Sequence, residues 1–446
     1  MLLTEKESKA LCDKILGYTR ADDAEVAVSS DDFSHLRFAA NGFTTSGRVE
    51  NASASITVWI DKKRGSASAN ELNAASLKLA VEQAEGLARL SPVDKEYLPT
   101  IGPQSYKTSG GYSEATVNPS LDGRAKAIDA IIGACEREGV IGAGFHHANG
   151  AAVASGNKHG NFHYRRSSLV SLSVTARTAD GSSSGFFLRN HFDAARLDTT
   201  RIGHEAIQKA LRSREPRALD AGIYPVILEA QAADDLIRLG FDARSADEGR
   251  SPWSLPGGKT RLGEKVFDER VNIYSDPWHP ELPGPPWAQD GIPAQKIYFV
   301  RNGTLENLQY SRYWGQQKTK EATPGPVNSI FESSARAMTV DEMIKATDCG
   351  LLVSRFWYIR SVDPRTALFT GLTRDGVWYI ENGKIQYPVR NFRFNQSLLE
   401  LLAPGNVEMI GAAERVSGSE SQGRSASISP ALKVKQFHFT SQSEAV

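Results

Sequence analysis

At 446 residues the chain exceeds the size at which one hydrophobic core stops growing, which points to two domains. Its 52 Lys+Arg balance 52 Asp+Glu, so the basic excess of a nucleic-acid binder is missing. The 40% hydrophobic and 23% charged content suits a soluble globular protein, and no run of about 18 apolar residues offers a membrane span.

The N-terminus, Met1 to Glu7, turns charged at once and has no apolar h-region, so secretion is not expected. Cys12, Cys135 and Cys349 lie far apart and form no C-x-x-C pair, which fits a reducing compartment; the cytoplasm is the expected address. Thr4 and Glu7 read as a capping box, ahead of a helix with Leu11 and Ile15 on one face. Asp23–Ser30 and Ile56–Ile60 alternate like half-buried strands. Leu77, Ala80, Val81, Ala84 and Leu87 recur at helical spacing, as do Leu121, Ala125, Ile128, Ile132 and Cys135 after Asn118-Pro119. From Ile141 to Asp193 the chain is rich in Gly, Ser and β-branched residues, with Asn149-Gly150 as a hairpin signal. A helix spans about Thr200 to Arg212, and the linker Ser213–Gly222 marks a domain boundary.

Beyond it, Val226-Ile227-Leu228 leads into a helix over Ala230 to Leu239. Asp276–Pro293, with six prolines and two tryptophans, reads as an ordered surface loop. Asn302-Gly303 and Asn382-Gly383 supply the positive φ angles of type I′ hairpins. Thr339 with Glu342, and Ser397 with Glu400, announce short capped helices. No internal repeat stands out, and the Ser-rich Ser417–Ser429 is short. The expected fold class is α+β: a mixed α/β N-terminal domain over 1–220, then a mostly antiparallel, barrel-like β domain over 221–446.

Catalytic motifs fail one by one. His204-Glu205 invites a zinc-helix reading, but i+4 and i+5 hold Gln208 and Lys209. Gly257-Gly258-Lys259-Thr260 resembles the end of a phosphate-binding loop, yet Trp253 stands where its first glycine belongs. Gly181-Ser182-Ser183-Ser184-Gly185 matches a nucleophile elbow, but no helix begins after it; a hairpin turn fits better. His146, His147, His159 and His163 share one meander without a carboxylate or cysteine among them, and alternate strand positions face opposite ways. Arg355, Tyr358, Arg360, Arg374 and Asp375 crowd one stretch. They are the candidates for holding a peptide's backbone or carboxylate, against the simpler reading of a solvated barrel rim with local ion pairs.

A series of segments, in order, resembles the TldD/PmbA family, once called modulators of DNA gyrase and now regarded as peptidases. Its N-terminal carriers are Leu36-Arg37, Asn41-Gly42, Ser55 to Ala67, and Ala74 to Leu90 with Ser91-Pro92. Ala221 to Leu228 is similar to the family's entry into its second domain. Thr339 to Ile344, Gly350 to Val353, Asp363-Pro364, Thr370-Gly371, Ile380 to Ile385 and Pro388-Val389 follow. The TldD type carries an HExxxH helix after the entry strand and a cysteine near the C-terminus, which implies a zinc-activated water with glutamate as general base. Here that helix, Glu229 to Gly240, has no histidine, and Val407–Val446 has no cysteine. The resemblance therefore implies the TldE/PmbA type: no cofactor in this chain, and zinc in a TldD-type partner subunit of a heterodimer that cleaves or matures extended peptides. Three alternatives stay open: a metal-free homodimer that only binds peptides, a self-sufficient hydrolase using Ser183, and a gyrase or DNA regulator, the last disfavoured by the neutral charge.

Overall fold

The computed structural model describes residues 2–418 and 425–443, so the middle of the Ser-rich stretch, 419–424, lies outside the described residues, as does Met1. The first half runs α1 (Glu5–Leu16), β1 (Asp23–Ala39), β2 (Gly42–Ile60), β3 (Lys63–Ala69), α2 (Ala74–Leu90), α3 (Glu114–Val117), α4 (Leu121–Arg137), β4 (Val140–Asn157), β5 (Phe162–Thr178), β6 (Ser184–His191) and α5 (Thr199–Arg212). Its strands form one antiparallel sheet in the order β3-β2-β1-β4-β5-β6. Val26, Val28, Ile56 and Val58 face α1 and α2 through Ile15, Leu77 and Val81. Leu36, Phe38, Leu172 and Val174 face α4 and α5 through Ile128, Ile132, Ile202 and Ile207.

The arrangement repeats. Helix, three-stranded meander and helix occur twice, the copies meeting at β1 and β4. Each outer strand presents a glycine where the closing helix lies against the sheet. A Cβ on Gly65 would stand 2.1 Å from the Ala84 carbonyl oxygen, and one on Gly185 would stand 2.2 Å from that of Ala206. Only glycine admits backbone so close. The repeat is a correction to the sequence reading, since the copies share this packing device and topology without an obvious run of matching residues.

The second half runs β7 (Ile223–Leu228), α6 (Ala230–Leu236), α7 (Ala243–Asp247), β8 (Ser254–Leu255), β9 (Lys259–Thr260), β10 (Val271–Ser275), β11 (Ile297–Arg301), β12 (Thr304–Leu305), α8 (Arg312–Gln317), β13 (Ile330–Ser333), α9 (Val340–Lys345), β14 (Cys349–Asp363), β15 (Leu368–Glu381), β16 (Lys384–Pro388), β17 (Phe392–Ser397), α10 (Leu398–Leu401), β18 (Val407–Val416) and β19 (Ser427–Gln442). Strands β7, β14, β15, β17 and β19 close into a five-stranded barrel, sealed by the β19–β7 pairing. The fold class is α+β, as the sequence indicates. Phe356, Phe392, Phe394 and Phe437 are fully buried in the barrel core, and the rings of Phe356 and Phe437 stack 5.5 Å apart. No helix among the described residues is long and apolar enough to cross a membrane.

Local signals fare unevenly. The capping boxes at Thr4/Glu7 and Thr339/Glu342 both form. Asn302 and Asn382 adopt φ of 47° and 51°, each followed by a left-handed glycine, as the hairpin signal requires. Ser397 caps nothing; its hydroxyl donates instead to the Thr366 carbonyl at 2.7 Å. Asn149-Gly150 makes no turn. Both residues sit inside β4, and Gly150 is small because a Cβ there would meet the Val117 methyls at 2.7 Å. The α6 helix ends at Leu236, three residues before the expected Leu239.

Candidate functional site

The segment that would carry a zinc helix is Glu229 and α6, wedged between the barrel strands β14 and β19. Its carboxylates and the Gln231 amide nitrogen each have a partner from a distant part of the chain. Glu229 accepts from Lys209 Nζ at 2.6 Å and from Ser354 Oγ at 3.3 Å; Lys209 also donates to Ser354 at 2.7 Å. Asp235, 1% exposed, accepts from the Phe356 backbone N–H at 3.1 Å. Gln231 donates to the Asp235 carboxylate at 3.1 Å and to the Ser417 carbonyl at 2.6 Å. Asp234 accepts from the Ser427 hydroxyl, and burial pushes its carboxyl up to about 6.

Zinc needs three or four imidazole, thiolate or carboxylate donors converging on one point. Here the three carboxylates diverge, Glu229 toward α5, Asp234 toward β19 and Asp235 toward β14. Among the described residues, no group of three or more His, Cys, Asp and Glu is placed to hold a metal. The donor set at α6 does not fit zinc.

The histidines of the first sheet do not converge. His146 is 4% exposed and held down to about 3 by burial, then by Arg124 and His147. His147 lies among the Phe33 and Phe145 rings at 5.5 and 5.2 Å. His163 packs against Trp287 with the rings 4.2 Å apart and tilted by 39°, while His159 faces Asp23 at 3.6 Å from an exposed position. His204 lies exposed on α5. Ser183 sits in the β5–β6 turn, as a hairpin reading requires, with its hydroxyl donating to the Ala210 carbonyl at 2.9 Å and not to a base. Gly257 and Gly258, at φ of 75° and 70°, turn the small β8–β9 hairpin.

The five residues singled out for peptide contact divide into two groups. Arg355 and Asp375, 6% and 3% exposed, form a buried ion pair, with Arg355 Nε donating at 2.6 Å. Ser184 of the first sheet donates to the same carboxylate at 2.5 Å, and Arg374 Nε lies 3.8 Å from it. The Arg355 guanidinium also covers Phe186 at 3.9 Å. This group joins the two halves beside a cleft of about 280 Å³ lined by Ser183, Ser184, Asp375 and Gly376. Tyr358 and Arg360 pair with each other instead: the guanidinium lies 4.1 Å from a tyrosine ring that is 58% exposed.

Sequence reasoning missed the Lys209–Glu229–Ser354 and Asp234–Ser427 contacts. Partners 20 to 193 positions apart leave no periodic trace.

Three family models match the chain: PmbA/TldA metallopeptidase domain 1 over 24–88, the central domain over 119–214 and the C-terminal domain over 221–441. The chain is 23% identical over 431 residues to the metalloprotease PmbA of Escherichia coli O157:H7, covering 90% of this chain and 89% of that protein. It is 24% identical over 370 residues to a PmbA homolog of Haemophilus influenzae, covering 78% of each. Similar solved structures include TldE from Thermococcus kodakarensis, at TM-score 0.84 and 18% identity over 97% of this chain and 99% of that one. A Thermotoga maritima protein described as a modulator of a DNA gyrase superposes at TM-score 0.83 and 18% identity, over 97% and 100%.

Proposed function

The chain belongs to the PmbA/TldA metallopeptidase family, and from that membership we propose that it is the subunit without zinc in a two-subunit peptidase, partnered by a zinc-bearing TldD-type chain. One observation carries the proposal: every carboxylate at Glu229 and α6 is already engaged by a lysine, a hydroxyl or a backbone N–H, and among the described residues no His, Cys, Asp and Glu group is placed to hold a metal there. A water molecule there would have no metal to lower its pKa. Hydrolysis then belongs to the partner, and this chain supplies part of the wall of the peptide cavity. A β-rich wall suits that work, because an extended peptide can add to a strand edge through main-chain hydrogen bonds. Arg355, Tyr358, Arg360, Arg374 and Asp375 remain the proposed contacts, with exposed Tyr358 and Arg360 the direct ones and the Arg355–Asp375 pair holding the rim in place.

Co-expression with a TldD-type protein tests this. An equimolar complex that hydrolyses unstructured peptides, and loses the activity to a chelator, is the expected result. Peptide hydrolysis by this chain alone, surviving a chelator, would refute it. A self-associated chain that ignores the TldD-type protein would favour the metal-free peptide-binding homodimer.

A further inference from the structure

A second cleft, of about 620 Å³, opens where the first sheet meets loops of the second half. That volume lies within the range of small-molecule sites. Glu25 of β1 and Arg64 of β3 line it from the sheet, and Asp290 and Arg312 line it from the opposite loops. The loop at Asp290 is fixed there: Tyr106 donates to the Gly291 carbonyl at 2.6 Å, and Asp290 itself takes a left-handed φ of 59°.

Glu25, Arg64, Asp290 and Arg312 therefore line one cleft, whose lining also carries Asp94, Lys95 and Glu96, yet the four do not neutralise one another. Among the described residues none of the four makes an ion pair; Glu25 accepts only from Ser155 Oγ, at 2.9 Å. Burial holds both carboxyls above the usual range, and each cationic neighbour acts only through space, Arg64 on Glu25 and Arg312 on Asp290. Asp290 is open to the cleft's solvent although protein surrounds it, as befits a group at a concave mouth. His163, which also lines the cleft, is 7% exposed, and its Nδ1 has no hydrogen-bond partner among the described residues. A buried polar atom left without a partner is costly unless something else supplies one.

We propose that this cleft binds a small zwitterion of the α-amino-acid or dipeptide class, its ammonium between Glu25 and Asp290 and its carboxylate on Arg64 or Arg312. A molecule carrying both signs is what two carboxylates and two guanidiniums can hold at once; an anion would face the carboxylates and a simple cation the guanidiniums. The proposal is independent of whether the chain works beside a zinc subunit.

Calorimetric titration of the full chain with L-alanyl-L-alanine is the test. Saturable binding at one site is expected. N-acetylation or C-terminal amidation of the dipeptide is expected to weaken it by about tenfold each, the loss of one charge-assisted contact. Glu25→Gln and Asp290→Asn should reproduce the N-acetyl loss, and Arg64→Ala or Arg312→Ala the amide loss. Absence of saturable binding for both the dipeptide and free L-alanine overturns the proposal, as does equal affinity for the free and the acetylated dipeptide. Should a variant fail to fold, the comparison of the three ligands on the unaltered chain decides alone.

Discussion

The six-stranded sheet of the first half is an open layer with helices packed along it, whereas the five-stranded ring of the second closes on itself around phenylalanines. Within the open sheet every pairing but β1–β4 joins consecutive strands, so its order is built from local meanders. The ring is sealed by β7 and β19, from opposite ends of the second half, and by a parallel β7–β14 pair that no hairpin can make. The buried ionisable groups differ too. The sheet buries imidazoles held neutral, His146 at about 3 and His163 at about 4, and the barrel side buries the Asp234 carboxyl raised to about 6. From that topology the sheet is expected to unfold piecewise and the ring to form as a whole.

The barrel core offers the largest effect. Phe437→Ala removes a fully buried ring stacked on Phe356 and should cost about 4 kcal/mol in denaturant unfolding. Hydrogen exchange should place that loss across β7, β14, β15, β17 and β19 together; a loss confined to β19 would break the contrast. Next comes the joint between halves. Asp375→Asn leaves the Arg355 guanidinium buried without its counter-charge and should cost about 3 kcal/mol, less than the full range for a broken buried pair because the amide can still accept one bond. It should also separate the unfolding transitions of the two halves.

Acidity comes third, and its sign reverses between regions. Asp234 has a folded pKa above the ordinary 3.8, so its protonated form favours folding. That stability is present below about pH 4 and is lost as the pH rises through about 6. Asp234→Asn should therefore stabilise the barrel by about 2 kcal/mol at neutral pH and by little at pH 4. His146 and His163 have folded pKa values below 6.5, so stability in the sheet holds above that value and falls as the pH drops toward about 3 to 4. Exchange rates measured at pH 7 and pH 5 should show the sheet loosening while the barrel region around α6 tightens. The smallest effect is local: Asn302→Ala forces alanine into the left-handed β11–β12 turn and should cost about 1 kcal/mol in the melting of the second half, with no change in the first sheet.

What could be read in the sequence follows the same divide. Helix caps at Thr4 and Thr339 and the Asn302-Gly303 turn depend on neighbours within a few residues, and they appear as expected. The identical dipeptide at Asn149-Gly150 misleads, because there the glycine answers to the Val117 side chain across the packing and not to a turn. The doubled helix-meander-helix is hidden because its signature is one glycine against one helix, Gly65 on α2 and Gly185 on α5. At the candidate site, the missing histidine of Glu229 to Gly240 is plain in the sequence. The lysine and serine that engage Glu229 come from α5 and β14, and only the fold brings them there.

The zinc content of this chain, expressed alone in zinc-rich medium and measured by mass spectrometry, bears most directly on the division of labour proposed above. Substoichiometric zinc, the same in the unaltered chain and in Asp234→Asn, is the predicted result. One zinc ion per chain, lost on that substitution, would contradict a subunit whose α6 carboxylates are already taken by protein partners.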